Sequence, residues 1–224
     1  KPYTAVLIAK HVQAGAFGFD HLAAPLVDRG LRKLHTNETM ASLFGAAADK
    51  VTVRMLLDMT SGIEDFDWPA FDDPLLYEQG QKEHSPVEFL VAAREMGGTA
   101  CGPPGKCSYY SSTNYVLLGF ILLGEQSCAS WKDLEQDIVL PLAMPDRERT
   151  IFANTGRLDL AATTRGVHPQ HTMSEPLRAH WGEHVTPIGK QDASILGWTC
   201  GNMASTTRQV AAFYWELLAT RTLL

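Results

Sequence analysis

The segment STNYVLLGFILLGE, residues 112–125, is apolar on nearly every face through three helical turns. A helix with this pattern has no face suited to water, so it must be covered on all sides. The apolar run is shorter than the ~20 residues that span a bilayer, and no other run approaches that length. We therefore predict a helix at the centre of a globular core, and no membrane span.

The clearest helix signal lies earlier, in SPVEFLVAAREMGG, residues 85–98. Ser85 is a favoured capping residue, Pro86 suits the first helical position, and Glu88 completes a capping box. Gly97 supplies a stop. Four further helices are predicted from similar signals: residues 2–15 between Pro2 and Gly15, residues 52–62 capped by Thr52, residues 130–140 capped by Ser130, and residues 205–220 capped by Ser205.

Composition sets the broad class. The 224 residues are 45% hydrophobic and 20% charged, which suits one substantial core, and we treat residues 1–224 as a single domain. The formal net charge is −6, with Lys and Arg scattered along the chain, so a nucleic-acid partner is not expected. Two long stretches without helix signals, roughly 63–84 and 145–200, have the length of binding loops or lids.

Cysteine spacing indicates one disulfide. Cys101 and Cys107 flank the turn-rich sequence GPPGK, which can bring their α-carbons within the ~6 Å that a disulfide needs. This pairing favours an oxidising compartment, hence a secreted or periplasmic protein. The alternative is four buried thiols, with Cys128 and Cys200 completing the set.

Histidines and tryptophans offer weaker signals. The candidates for a metal site are His168, His171, His180 and His184. His180 and His184 would share a helical face, but Gly182 between them and prolines on both sides disfavour a helix, so we expect no metal and no other cofactor. For Trp68, Trp181 and Trp198 packing is the default interpretation, and substrate stacking is the alternative.

Four blocks carry a family resemblance: KPYTAVLIAKHVQAGAFGFD, DKVTVRMLLDMTSGI, PPGKCSYYSSTNYVLLGFIL and GNMASTTRQVAAFYWELL. In this order they resemble the serine β-lactamase and penicillin-binding-protein superfamily, in the branch of class C β-lactamases, D-amino-acid peptidases, esterases and transacylases. The resemblance implies an α/β fold in which helices flank an antiparallel sheet. This chain would cover mainly the helical part, truncated at both ends.

The resemblance also implies a site. The family uses a Ser-x-x-Lys motif at a helix start, a Tyr-x-Asn loop, and a Lys- or His-x-Gly strand. Lys1 matches the lysine of the first motif, Tyr110 matches the tyrosine of the second, and Ser112 stands where asparagine is usual. The nucleophilic serine is expected three positions before Lys1, and the third motif after Leu224. Flanking residues, or separate segments of the same fold, would supply them.

The chemistry of these side chains fits an acyl-serine mechanism on an ester or amide, with a small-molecule or peptide-like substrate. Lys1 would accept the serine proton, and Tyr110 would relay a proton to the leaving group. Ser112 lacks the reach of an amide, which makes β-lactam hydrolysis less expected than ester hydrolysis. Two alternatives stay open. Tyr109 could take the place of Tyr110, and the chain could be an inactive binding module in which Ser112 only caps a helix.

Overall fold

The computed structural model describes residues 1–68, 79–140, 150–157 and 191–224. In chain order, the α-helices in these ranges are α1 (Pro2–Gln13), α2 (Ala23–Lys33), α3 (Met40–Phe44), α4 (Val53–Leu57), α5 (Pro86–Glu95), α6 (Thr113–Glu125) and α7 (Thr207–Tyr214). Two short strands, β1 (Ile151–Phe152) and β2 (Met203–Ala204), pair antiparallel, with Ile151 opposite Ala204. No helix among the described residues is long and apolar enough to cross a membrane.

Helix α6 is the centre of the core, as its apolar pattern predicts. Every residue from Thr113 to Leu123 is buried, and helices α1, α2, α4 and α5 all pack against it. Its closest approach is to α2, where a Cβ on Gly30 would lie only 2.0 Å from the carbonyl oxygen of Phe120. The absence of a side chain at Gly30 therefore allows the two helix axes to come this close.

The helix predictions for α1 and α5 are confirmed. Helix α1 begins at Pro2 and ends at Gln13, and Gly15 follows it with a φ of 77°. At α5, Ser85 accepts a hydrogen bond from the backbone of the first turn, and the Glu88 carboxylate accepts the Ser85 N–H at 2.9 Å. The residues that mark the ends of these helices lie within one turn of them, so the sequence alone is enough to predict where each helix begins and ends.

The helix predicted for residues 52–62 is shorter than expected. The Thr52 cap is confirmed, since its hydroxyl accepts the Met55 N–H, but the helix ends at Leu57. Beyond it, Met59 takes a φ of 62°, and its carbonyl accepts the N–H of Tyr109. A distant segment therefore binds a backbone group at the end of the predicted helix.

The prediction of a helix over residues 130–140 is wrong. Ser130 does cap a turn, but the segment forms two 3-10 turns, Trp131–Asp133 and Asp137–Val139. The carbonyls of Lys132 and Leu134 accept from the Asn154 side-chain amide at 2.8 and 3.1 Å. Those carbonyls would have accepted helical N–H groups, so the side chain of Asn154 replaces the α-helical bonding there.

The C-terminal helix begins one residue later than predicted. Thr206, not Ser205, is the cap, and it forms a reciprocal capping box with Gln209. The Ser205 hydroxyl instead contacts the hydroxyl of Thr150 at 2.8 Å. After Tyr214 the α-helix continues as a π-helix, Trp215–Thr220.

Helices α2 and α3 were not predicted. Helix α2 follows Leu22, which has no side chain able to cap it, and its backbone is supported by long-range bonds such as Ala23 N–H to the Val51 carbonyl. Helix α3 has only five residues, although Thr39 and Ser42 form a capping box. The four candidate metal histidines, Trp181 and parts of the two predicted loops lie outside the described residues.

Candidate active site

The side-chain amine of Lys1 is the point where three segments meet. Lys1 immediately precedes α1, and its Nζ lies 3.3 Å from the Ser112 hydroxyl oxygen and 3.3 Å from the Cys200 carbonyl oxygen. The same amine lies 5.1 Å from the ring centroid of Tyr110 and 5.9 Å from that of Tyr115. The fold thus brings together Lys1, Tyr110 and Ser112, the three residues that the resemblance implies.

Buried hydrogen bonds fix the Cys200 carbonyl in this position. The Thr4 hydroxyl of α1 donates to the Thr199 carbonyl at 2.7 Å, and the Thr199 hydroxyl donates to the Tyr115 carbonyl of α6, also at 2.7 Å. The turn Trp198–Cys200 is therefore tied to both helices that flank Lys1. Burial raises the pKa of the Cys200 thiol to about 11, so this cysteine is not ionised at neutral pH and is no candidate nucleophile.

The carboxylate of Asp65 holds the backbone of Ser112. Its backbone N–H donates to Oδ1 of Asp65 at 2.9 Å, and the Ser112 residue is 2% exposed. Its carbonyl accepts from Tyr115 N–H in the first turn of α6. With both backbone groups bonded, Ser112 has its hydroxyl left to face Lys1.

The two tyrosines of the SYYSS sequence differ in what they contact. Tyr109 donates its phenol to the Glu64 carboxylate at 2.9 Å, and burial together with that bond raises the pKa of Tyr109 to about 12. Tyr110 is 60% exposed, and its hydroxyl makes no hydrogen bond with any residue that the structure describes. Tyr110 also carries the ring next to Lys1, which favours it over Tyr109 as the residue that meets a substrate.

The disulfide prediction is confirmed, and it supports the loop that carries these tyrosines. Cys101 and Cys107 are bonded, with α-carbons 6.3 Å apart. Between them, Gly105 N–H donates to the Thr60 carbonyl at 2.8 Å. The neighbouring Ser61 hydroxyl donates to Asn114 of α6 at 2.6 Å, so the 60–62 turn is a structural support.

Sequence reasoning did not identify Asp65 or the Cys200 carbonyl as parts of this site. The only local signal for Asp65 is the acidic character of residues 64–67, and a backbone carbonyl leaves no signal at all. Trp198 is fully buried against Phe120, whereas Trp68 is 46% exposed with its indole N–H 3.4 Å from Glu64. Among the described residues, no group of three His, Cys, Asp or Glu side chains is placed to hold a metal ion.

The family of the chain follows from its sequence taken as a whole. The sequence model described as Beta-lactamase matches residues 1–224. The chain belongs to the β-lactamase family. A search of curated protein sequences gave no significant match.

Solved structures support the β-lactamase/transpeptidase-like fold. The chain is similar to a D-stereospecific amidohydrolase from Streptomyces sp., with a TM-score of 0.69 and 24% identity over 100% of this chain and 60% of that one. A D-amino acid amidase from Ochrobactrum anthropi SV3 complexed with L-phenylalanine gives a TM-score of 0.54 at 22% identity, over 92% of this chain and 55% of that one. A penicillin binding protein from Bacillus halodurans gives 0.50 at 19% identity, over 100% of this chain and 57% of that one.

Two consequences follow from these matches. The predicted fold is confirmed, and the mostly helical architecture with a small antiparallel sheet corresponds to part of it. The chain spans about 55 to 60% of the length of these solved structures.

Proposed function

We propose that the protein carrying this chain is a serine hydrolase or acyltransferase that acts on an ester or amide through an acyl-serine intermediate. The observation that carries the proposal is the placement of the Lys1 amine, 3.3 Å from the Ser112 hydroxyl and under the ring of the exposed Tyr110. Tyr110 and Ser112, assigned from one motif, meet the amine of Lys1, assigned from another, which supports a chemical role more than a packing role.

The nucleophile would be a serine three positions before Lys1, one helical turn away and on the same face. In the proposed mechanism the Lys1 amine accepts the hydroxyl proton as the serine oxygen attacks the substrate carbonyl. The tetrahedral intermediate then expels the amine or alcohol, which takes a proton through Tyr110. A water or another nucleophile attacks the resulting acyl-serine by the reverse proton path, which regenerates the serine.

Two features bear on the substrate. Ser112 offers one hydroxyl where the family's asparagine offers both an amide donor and an acceptor, so contacts to a substrate amide are weaker here. The structural relatives named as D-amino acid amidase and D-stereospecific amidohydrolase make the amide of a D-amino acid a reasonable test substrate. The Cys101–Cys107 disulfide supports a secreted or periplasmic location.

The test uses the full protein that includes the residues flanking this chain. It is incubated with p-nitrophenyl acetate or with D-phenylalanine amide, and tryptic mass spectrometry then locates any acyl group. We expect an acyl adduct on a serine three positions before Lys1, and faster turnover of the ester than of a β-lactam. In Ser112→Asn the preference should move toward amide and β-lactam substrates, because the added amide can contact the substrate amide.

Two results would reject the proposal. The first is a residue other than serine at that position, and the second is the absence of any acyl adduct with either substrate. In either case the alternative, a binding module that keeps the fold without the chemistry, would replace it.

A further inference from the structure

Asp65 is a buried carboxylate beside the candidate site that the proposed mechanism does not use. It is 7% exposed, and its Oδ1 accepts the Ser112 N–H at 2.9 Å and the Asp67 N–H at 3.3 Å. Burying a carboxylate is costly unless hydrogen bonds compensate for the lost water. A buried carboxylate bonded to a residue that contacts the candidate base therefore requires an explanation.

Asp65 lies at the centre of a pairing between two segments. On one side of it, the Glu64 carbonyl accepts from the Ser111 hydroxyl at 3.1 Å. On the other side, the Phe66 N–H donates to the Thr113 hydroxyl at 3.0 Å. Residues 64–66 thus bind residues 111–113 one by one, and Asp65 is the partner of Ser112.

We propose that Asp65 is a positioning residue that holds the Ser112 backbone, and so keeps the Ser112 hydroxyl within reach of the Lys1 amine. This inference rests on the proposed function. The N–H of Ser112 stands at the start of α6, where backbone donors lack helical acceptors and favour a negative partner. A charge-assisted bond at that point fixes the backbone more firmly than a neutral one. Thr113 and Ser111 secure the same segment, but neither bonds Ser112 itself.

Charges around Asp65 are consistent with this role. Lys1 attracts the carboxylate and Asp67 repels it, while burial raises the pKa of Asp65 and the two N–H bonds oppose that rise. The carboxylate is therefore retained at some cost to folding, a pattern more often found where a residue serves function than where it serves stability alone.

The test compares Asp65→Ala, Asp65→Asn and Thr113→Val in the full protein, by ester turnover. Asp65→Ala removes the acceptor, and we expect kcat to fall by roughly 10- to 100-fold with KM changed by less than about threefold, because the loss is one of orientation. Asp65→Asn keeps a carbonyl acceptor but not the charge, and it should recover part of the kcat that Asp65→Ala loses. Thr113→Val is the matched control, since it removes a buried bond of the same pairing and should lower stability while leaving kcat near wild type.

A second measurement does not depend on whether the alanine variant folds. In the wild-type protein, the amide proton resonance of Ser112 should move as Asp65 titrates at acidic pH, because protonation weakens the bond that this N–H donates. An unmoved resonance would overturn the inference, and so would an Asp65→Asn variant as impaired as Asp65→Ala. Equal losses of kcat in Asp65→Ala and Thr113→Val would also overturn it, since they would show a structural role only.

Failure of this inference is distinguishable from failure of the proposed function. If the wild-type protein turns over the ester but Asp65→Ala does so equally well, only the role of Asp65 is rejected. If the wild-type protein forms no acyl adduct, the proposed function is rejected and the positioning role with it.

Discussion

The amine of Lys1 and the hydroxyl of Ser112 lie 3.3 Å apart although 111 positions separate the two residues in the chain. The contact joins the start of α1 to the start of α6, two helices that pack against each other in the core. Helix starts are well suited to this use, because the packing of long helices holds their first residues rigidly.

Replacement of Lys1 by arginine tests whether the amine acts as a base. Arginine keeps the positive charge, but its guanidinium stays protonated in proteins and cannot accept the serine proton. We expect Lys1→Arg to lower kcat on an ester by roughly 10²- to 10⁴-fold, the usual contribution of a general base. Steady-state kinetics on the full protein would measure it. Near-normal turnover in the arginine variant would show that Lys1 supplies charge rather than proton transfer.

The adjacent tyrosines form a matched pair for substitution. Tyr110→Phe should lower kcat by roughly 100-fold while changing the free energy of unfolding by less than about 0.5 kcal/mol, because the side chain is exposed. Tyr109→Phe removes the bond to Glu64 and should leave kcat within about threefold of wild type, which turnover and urea denaturation together would measure. The reverse ranking of the two variants would assign the chemistry to Tyr109.

The pKa of Asp65 predicts how stability depends on pH. Burial raises this pKa in the folded state, so the folded protein binds the proton more tightly than the unfolded chain does. The associated stabilisation is complete below the unfolded pKa of about 3.9 and is lost as the pH rises through the higher folded value. Asp65→Asn carries no charge at any pH, and its stability relative to wild type should be greater at pH 7 than at pH 4. Urea denaturation at the two pH values measures this, and a relative stability that falls with pH would contradict it.

The Cys101–Cys107 disulfide should stabilise the loop before Tyr110. Its six-residue separation closes a short loop, for which loss of the crosslink lowers the free energy of unfolding by about 2 kcal/mol. Cys101→Ser combined with Cys107→Ser should show this loss in urea denaturation, with Cys128→Ser, at a half-buried free thiol, as the control. A double variant as stable as the control would mean that the loop is fixed by its backbone bonds alone.

The close contact between α2 and α6 predicts a sensitive glycine. A methyl group on Gly30 would meet the Phe120 carbonyl at 2.0 Å, and helical backbone cannot easily move away, so Gly30→Ala should cost roughly 1–3 kcal/mol. At Gly18 the nearest atom would lie 3.5 Å away, in the His21 side chain, and Gly18→Ala should change stability by less than about 0.5 kcal/mol. Thermal denaturation compares the two, and equal effects would place the helices farther apart than described.

Several features of this protein were determined by sequence because their causes are local. The start of α5 depends on Ser85 and Glu88, which interact within one turn, and the disulfide joins two cysteines six positions apart. The central position of α6 follows from its lack of a polar face. The motif residues Lys1, Tyr110 and Ser112 came from an ordered set of blocks rather than from any one of them.

Tertiary structure alone decided what depends on contacts between distant segments. Asn154 binds the carbonyls of Lys132 and Leu134 and so prevents the helix that the local pattern favours. Asp65 reaches Ser112 across 47 positions, and the Cys200 carbonyl reaches Lys1 across 199. Such partners produce no periodic pattern in the sequence, because the fold of the chain, and not their spacing along it, determines how close they lie. The sequence therefore indicated Lys1, Tyr110 and Ser112 as candidate site residues, and the tertiary structure decided which groups hold them.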